Sequence, residues 1–269
     1  MFKDVTFGQY FPADSVVHKM DPRFKLVITF VFIIVLFMIN SLAGYITAGL
    51  FVGVVIASAR VPVKLLLKNI KPLWFILLFM LVINIFFTRT GNVLFGFWIL
   101  KVTDDGLIKA ALMLTRIIML IFFTGLLTLT TSPISLTVGI ESLLSPLKKI
   151  KFPAHELAMM MTIALRFIPT LMEETDKIMK AQMARGASFD TGNLYQKAKS
   201  MIPLLIPLFV SAFRRADELA LAMTARCYNG GEGRTRMNPL RVSSIDYVGA
   251  IFTAVFLAAM IVFNYVNIL

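Results

Sequence analysis

The stretch "LVITFVFIIVLFMINSL", residues 26–42, constrains this chain more than any other feature. About 20 mostly apolar residues are what a helix needs to cross the hydrocarbon core of a bilayer. Comparable runs recur at about 43–59, 72–88, 107–131 and 246–266. Lipid offers no partner to backbone N–H and C=O groups, so each run is expected to close its own hydrogen bonds as a helix. The 269 residues are 58% hydrophobic, above the half usual for a soluble domain, and the excess lies in these runs. The fold class is read as an all-α integral membrane protein with about five transmembrane helices.

The division expected is in three parts. Residues 1–131 form an N-terminal membrane domain of four spans, residues 132–245 a cytoplasmic or interfacial domain of long amphipathic helices, and residues 246–269 a last span. Basic residues in the short segments set the orientation. Lys3, Lys19, Arg23 and Lys25 precede the first span, and Arg60, Lys64, Lys68 and Lys71 follow the second. Only Arg89, Lys101 and Lys109 lie between the third and fourth. The first two segments are therefore placed in the cytoplasm, together with residues 132–245, and the C-terminus outside. No short apolar core is followed by a small-residue cleavage site, so no removed leader is expected. The outer segment "VLFGFWILKVTDDG" reads as a small hairpin.

Charge and rare residues exclude several chemistries. The formal net charge is +12, which in a membrane protein speaks first of topology. One cysteine, Cys227, leaves no intramolecular disulfide framework, and two histidines are too few for a histidine metal site. "HELAM", 155–159, starts like a zinc-protease motif but has methionine where the second histidine belongs. "GGEGRT", 230–235, lacks the lysine and the preceding strand of a phosphate loop and reads as a turn. No cofactor, metal or catalytic site is expected.

Residues 132–245 are too polar to span and too apolar for a linker, and they hold 15 of the 27 basic residues. "SPISLTVGIESLLSPL" reads as a short helix ended by Pro146. "AHELAMMMTIALRFIPTLMEETDKIMKAQMARG" reads as a long helix kinked near Pro169 and stopped near Gly186. "LYQKAKSMIPLLIPLFVSAFRRADELALAMTARCYNGG" reads as a second, disturbed at Pro203 and Pro207 and stopped at Gly230–Gly231. Its apolar "IPLLIPLFVSAF" is short for a span and is expected to lie against helices or the membrane surface.

These two helices finish alike. "DKIMKAQMAR", 176–185, aligns with "DELALAMTAR", 217–226, in Asp, both alanines and the final Arg. Small residues let another surface approach the backbone. The macrodipole favours an arginine at a helix C-terminus, and its planar fork pairs two-pronged with carboxylates. Either each arginine caps only its own helix, or the pair forms two docking tips.

Four segments carry a resemblance. "GQYFPADSVVHKMDPRFKL", "LRFIPTLMEE", "MARGASFD" and "ARCYNGGEGRTR" look like the transmembrane T component of energy-coupling factor (ECF) type ABC transporters, over nearly the whole chain. The N-terminal motif is more similar to the shared, vitamin-type members than to the metal-specific ones. The resemblance implies a non-catalytic coupling subunit. It transmits ATP-driven motion of two ABC ATPase subunits, of the EcfA and EcfA′ type, to a membrane-embedded S component that binds a vitamin or similar micronutrient. By the same resemblance Ala184, Arg185 and Gly186, and Ala225, Arg226 and Cys227, meet the ATPases. Cys227 departs from the family's glycine, and Gly230–Gly231 are expected to supply the turn.

Other residues stay open. Arg116 lies inside the fourth span, where a charge marks either a structural pair or a functional contact. Arg166, two turns before Glu173, is read as structural. Met159, Met160, Met161, Met172, Met179 and Met183 are either ordinary core or an adaptable surface for several partners. Asp14, Ser15, His18, Asp21 and Arg23 are read as a capped turn leading into the first span. The competing function is a self-contained secondary transporter or channel, which calls for ionisable or broken-helix sites at the midplane that the spans scarcely offer. A membrane enzyme lacks a visible nucleophile and base. Nucleic acid is not an expected partner, because the basic residues are mixed with acids and lack an aromatic platform.

Overall fold

The computed structural model describes residues 10–87, 93–97, 100–150, 152–187, 189, 193–230 and 240–266. Helices α1 (Val16–Lys19), α2 (Pro22–Met38), α3 (Leu42–Ala59), α4 (Val63–Ile70) and α5 (Trp74–Phe87) lead to strands β1 (Val93–Phe97) and β2 (Leu100–Thr103). Helices α6 (Asp104–Thr130), α7 (Pro133–Leu144), α8 (Ala154–Ala184), α9 (Leu194–Ser200), α10 (Ile202–Ala225) and α11 (Ser244–Val266) follow. The strands pair antiparallel with a bulge between Val93 and Phe95. The described residues are thus all-α apart from one hairpin between α5 and α6.

The chain divides into two compact units, the larger built from Phe7–Ser142 with Pro239–Leu269 and the smaller around Leu143–Asn238. Helix α7, on the central stretch of the sequence, packs in the larger unit through Gly139, where a Cβ would stand 3.1 Å from Pro22.

In the larger unit four helical segments are long and apolar enough to cross a membrane: Leu42–Ala59, Val63–Phe87, Asp104–Thr130 and Ser244–Asn264. Helix α2 has 17 residues, the lower bound for a span, and rises about 25 Å. It begins at Pro22 rather than near residue 26, because Pro22 sits at the first helical position and Asp21 caps the helix by accepting from the Arg23 amide at 2.8 Å. Ser15 likewise caps α1 through the His18 amide. His18 Nε2 lies 2.9 Å from the Phe11 carbonyl. The capped turn read from these residues is what they form.

The segment expected as a cytoplasmic loop after the second span is helical. "VKLLLKNI" puts Leu66 inward and Lys64 and Lys68 outward. A 3₁₀ turn, Lys71–Leu73, carries α4 into α5. Helix α4 packs on α6 at Gly125, where a Cβ would stand 2.8 Å from Asn69 Nδ2.

The core lies among α2, α3, α6 and α11. Phe32, Phe51 and Phe123 cluster with centroids 4.2–5.7 Å apart, and Leu36, Ala48 and Met260 close around them with no exposed surface. The rings are tilted 33–34° to one another, and aromatic pairs at these separations add to simple burial. At one end Asp246 is almost wholly buried, its Oδ1 accepting from the Asp21 amide at 2.6 Å and its Oδ2 from the Ser243 amide at 2.7 Å. Buried Lys25 donates to the Thr130 carbonyl, Thr131 Oγ1 and the His18 carbonyl at 3.0, 3.2 and 3.4 Å. The buried lysine thereby satisfies all three of its donors, as burial of a charge demands.

Arg116 is held structurally. Its Nη2 donates to the Ile39 carbonyl and reaches Asn40 Oδ1 at 3.5 Å, and its guanidinium lies over the Phe37 and Tyr45 rings at 5.7 and 5.6 Å. Asn264 of α11 completes the clamp by accepting from the Asn40 and Ser41 amides at 2.9 and 3.2 Å. In the α2–α3 turn the Ile39 carbonyl and the Asn40 and Ser41 amides lie beyond the helical ladders, and these two side chains partner them.

Candidate functional site

In the smaller unit α8 runs unbroken through Pro169 for 31 residues. The helix expected from Leu194 onward is two helices. Met201 interrupts it, because Pro203 has no N–H for the preceding turn and instead opens α10 near its start, a position proline tolerates.

Helices α8 and α10 pack antiparallel. Glu174 faces Ser211 and Arg215, while Gln182, two turns further along α8, donates to the Pro203 carbonyl, two turns back along α10. Glu174 Oε1 accepts from Ser211 Oγ, and Oε2 accepts from Arg215 Nε and Nη2 at 3.1 and 2.8 Å. The Ser211 hydrogen bond, and then Arg215, hold the Glu174 carboxyl below the usual glutamate range. Beside this polar crossing lies an apolar groove of about 280 Å³ lined by Ile163, Phe167, Leu171, Ala216, Leu219 and Met223, among others.

Arg166, read from the sequence as structural, and Glu173, two turns on, are both exposed. The charged residues that join the helices are Glu174 and Arg215, with Ser211 beside them. The signal available was the doubled acid and the doubled base, "EE" and "RR": a helical face takes one member of each, and periodicity alone does not say which.

Each helix ends in the same way. Arg185 closes α8; Gly186 N–H donates to the Met183 carbonyl and Ala187 N–H to the Gln182 carbonyl, both at 3.0 Å. Arg226 closes α10; Cys227 N–H donates to the Thr224 carbonyl at 2.9 Å and Tyr228 N–H to the Met223 carbonyl at 3.0 Å. Both are Schellman motifs, in which the residue after the cap turns left-handed. Gly186 has φ 87° and Cys227 φ 54°. The expectation that α10 runs on to Gly230–Gly231 is therefore corrected: Cys227 takes the positive φ itself. Gly230 also has positive φ, in the irregular segment that follows, and Gly231 and the rest of "GGEGRT" lie outside the described residues.

All six residues read as docking positions are exposed: Ala184, Arg185, Gly186, Ala225, Arg226 and Cys227. Neither arginine side chain forms an ion pair with the described residues. Antiparallel packing sends the two tips to opposite ends of the helix pair. Each lies some 11 residues beyond the Glu174–Arg215 crossing, so they stand on the order of 35 Å apart along it.

Helix α10 also presents an exposed apolar face. Ile202, Ile206, Phe209 and Phe213 recur at helical spacing and all are exposed. Of the methionines on α8, Met160, Met161 and Met183 are exposed, while Met159, Met172 and Met179 are partly buried. His155 and Glu156 begin α8, where the acid meets the positive end of the helix dipole. Among the described residues no three His, Cys, Asp or Glu side chains converge as a metal site.

The comparisons with known proteins agree with this architecture. Residues 13–237 match the CbiQ family, described as cobalt transport protein. A protein of Ruminiclostridium cellulolyticum named energy-coupling factor transporter transmembrane protein EcfT is 53% identical over 266 residues, 99% of each chain. The chain belongs to the EcfT family. EcfT proteins of Clostridium kluyveri and Bacillus subtilis are 56% identical over 252 residues and 48% identical over 263. These alignments cover 93% of each chain for the first, and 98% of this chain and 99% of the relative for the second. As an EcfT-family protein, this chain is a transmembrane component of a transporter, and its relatives carry transporter names rather than those of enzymes.

Proposed function

We propose that this protein is the coupling subunit of an ECF-type importer. Two ABC ATPase subunits seat on the two helix tips, one on Arg185 with Ala184 and Gly186, the other on Arg226 with Ala225 and Cys227. The observation that carries this is the pair of identical Schellman ends. Each leaves an arginine exposed, outside any ion pair with the described residues, next to small residues that admit a close partner. An arginine that served only its own helix would need neither the small neighbours nor the duplication. A separation on the order of 35 Å suits two sites on two subunits better than one shared site.

The ATPases' carboxylates pair with the guanidinium forks. ATP-driven closure then changes the spacing of the tips, and the Glu174–Arg215 crossing, the rigid point of the pair, converts that change into a tilt of both helices. The exposed face of α10 and the exposed methionines of α8 supply the surface for an S component, with methionine's adaptability suiting more than one such partner. The cargo is a vitamin or similar micronutrient held by the S component. Five spans follow if α2 is counted with the four longer helices. The excess of Lys and Arg then places the N-terminus and the α8–α10 unit in the cytoplasm and the C-terminus outside.

The decisive experiment purifies the whole complex after charge reversal of both Arg185 and Arg226. Loss of the ATPases with retention of the S component supports the reading, and full retention of the ATPases overturns it. A self-contained transporter would need an ionisable site within the spans, and Arg116 is already engaged by the chain's own backbone and rings.

A further inference from the structure

Helix α4 carries two outer stripes that the coupling role does not use. Its inward residue is Leu66, which has no exposed surface and packs with Ala59, Val61, Leu126 and Leu129. Lys64, Lys68 and Lys71 recur every three or four residues, so they fall within an arc of about 60° on the side away from Leu66. All three are exposed. Val63, Leu67 and Trp74 each precede or follow that arc at the same spacing, rotated from it by about 100°. They are exposed too. An apolar stripe thus runs beside a basic one.

The contacts of Leu66 fix the level of α4. Ala59 ends α3 and Leu129 is the last residue but one of α6. Both of those helices are long and apolar enough to cross a membrane. Helix α4 therefore stands where the spans end, at the depth of lipid headgroups. Arg60, the exposed left-handed cap of α3, adds a fourth cation at this level. No acid answers them. The sequence has no Asp or Glu between Asp21 and Asp104, and none of the four cations forms an ion pair among the described residues.

The geometry points to α4 as a binding face for phospholipids of net negative charge. Their phosphates pair with Lys64, Lys68, Lys71 and Arg60, and their acyl chains lie along Val63, Leu67 and Trp74. A count of cations is enough to orient a span. Their alignment on one face, with an apolar stripe beside it at headgroup depth, is what makes a surface for lipid. A choline lipid fits less well, because its phosphate already carries a cation of its own. An acidic protein segment would answer the lysines but would set its polar groups against Val63, Leu67 and Trp74. The inference rests on the membrane class of the chain and holds for either leaflet.

The test uses the full chain with Trp98→Phe, which leaves Trp74 as the only tryptophan. It is reconstituted in vesicles of phosphatidylglycerol and phosphatidylcholine in equal amounts, with bromine on the upper acyl carbons of one lipid or the other. Trp74 stands one turn past Lys71, so quenching of its fluorescence reports which lipid lies beside the stripe. Phosphatidylglycerol should be enriched there by roughly fivefold or more, the scale of one lysine near an anionic surface. Joint Lys64→Gln, Lys68→Gln and Lys71→Gln should remove most of that preference. Joint Lys180→Gln, Lys197→Gln and Lys199→Gln, an equal loss of charge in the smaller unit, should leave it. Equal quenching by the two lipids in the chain with all its lysines overturns the inference, and is the result expected if an acidic protein is the partner. So does a preference that survives loss of the α4 lysines, or one that falls as far without the smaller unit's lysines. Elution and helical signal check that the variants, altered only at exposed lysines, keep the fold.

Discussion

Gly186 and Cys227 hold the same place at the ends of two different helices, the first residue past an arginine cap, and both turn left-handed there. Glycine does so freely. An L-residue pays a steric cost in that region, because its Cβ crowds the carbonyl oxygen. No heavy atom lies within 4 Å of a Cβ added at Gly186, so only the backbone conformation penalises a side chain there. Gly186→Ala should loosen the end of α8 by about 1 kcal/mol. Cys227→Gly should be neutral or tighten the end of α10, by less than about 1 kcal/mol, since glycine's own flexibility offsets part of the relief. Hydrogen exchange at the Ala187 and Tyr228 amides, which close the two motifs, reads both effects.

The tips should tolerate substitution without loss of the fold. Arg185→Glu and Arg226→Glu should each weaken ATPase binding by about 2 kcal/mol or more, if the fork sits in a desolvated pocket. Arg→Lys at either site should recover only part, because lysine lacks the two-pronged geometry. Thermal unfolding of the isolated chain should shift only slightly, since neither arginine makes an ion pair with the described residues and a reversed charge at a helix C-terminus costs about 0.3–1 kcal/mol. ATPase co-purification and that melting curve, measured side by side, separate docking from stability.

The Glu174 crossing should be sensitive to acid. Ser211 and Arg215 favour the ionised carboxyl, so its folded value lies below the unfolded one. Its contribution is full above the ordinary glutamate range and is lost as pH falls through the lowered value. Glu174→Gln should remove that dependence. A double-mutant cycle of Glu174→Ala with Arg215→Ala should give a coupling of about 1 kcal/mol, kept modest by partial exposure of both side chains.

Arg116→Ala should leave the Ile39 carbonyl without its donor and cost about 1–3 kcal/mol. Asn264→Ala acts on the same turn through the Asn40 and Ser41 amides, so the two changes together should differ from the sum of their separate effects. Unfolding in detergent measures the non-additivity, and purely additive values would mean that the turn is not a shared element.

Phe209→Asp combined with Phe213→Asp should release the S component while the ATPases remain. The two rings lie on the exposed face of α10, away from both tips. Simultaneous loss of the ATPases would mean that this face is not a separate surface.

Much was legible in the residues alone. Apolar runs of bilayer length marked the long apolar helices, four of which are long enough to cross a membrane where five spans were expected, because the hydrocarbon core sets the length and leaves no alternative to helices. Ser15 and Asp21 marked a capped turn, since capping is a local matter of one side chain and the next turn, but the start of α2 at Pro22 was placed four residues too late. Proline made the break before α10 foreseeable, but it was placed at Pro203 rather than at Met201, because proline disturbs the turn before it. The helix from Val63 to Ile70 was missed for a similar reason: its lysines read as topology, and only the face that meets Gly125 shows that the segment packs.

What the sequence determined by itself was the membrane class, most of the long helices and the repeated Ala-Arg endings, all of which depend on residues close together along the chain. What the tertiary structure decided was which acid meets which base across α8 and α10, that Arg116 serves the α2–α3 turn, that Cys227 turns as a glycine would, and that Asp246 of α11 meets the Asp21 amide at the start of α2. The physical reason is the same in each case. A helix exposes every residue of a turn to some neighbour, and the neighbour is fixed only when segments far apart in the chain pack and leave a given side chain one partner, or none.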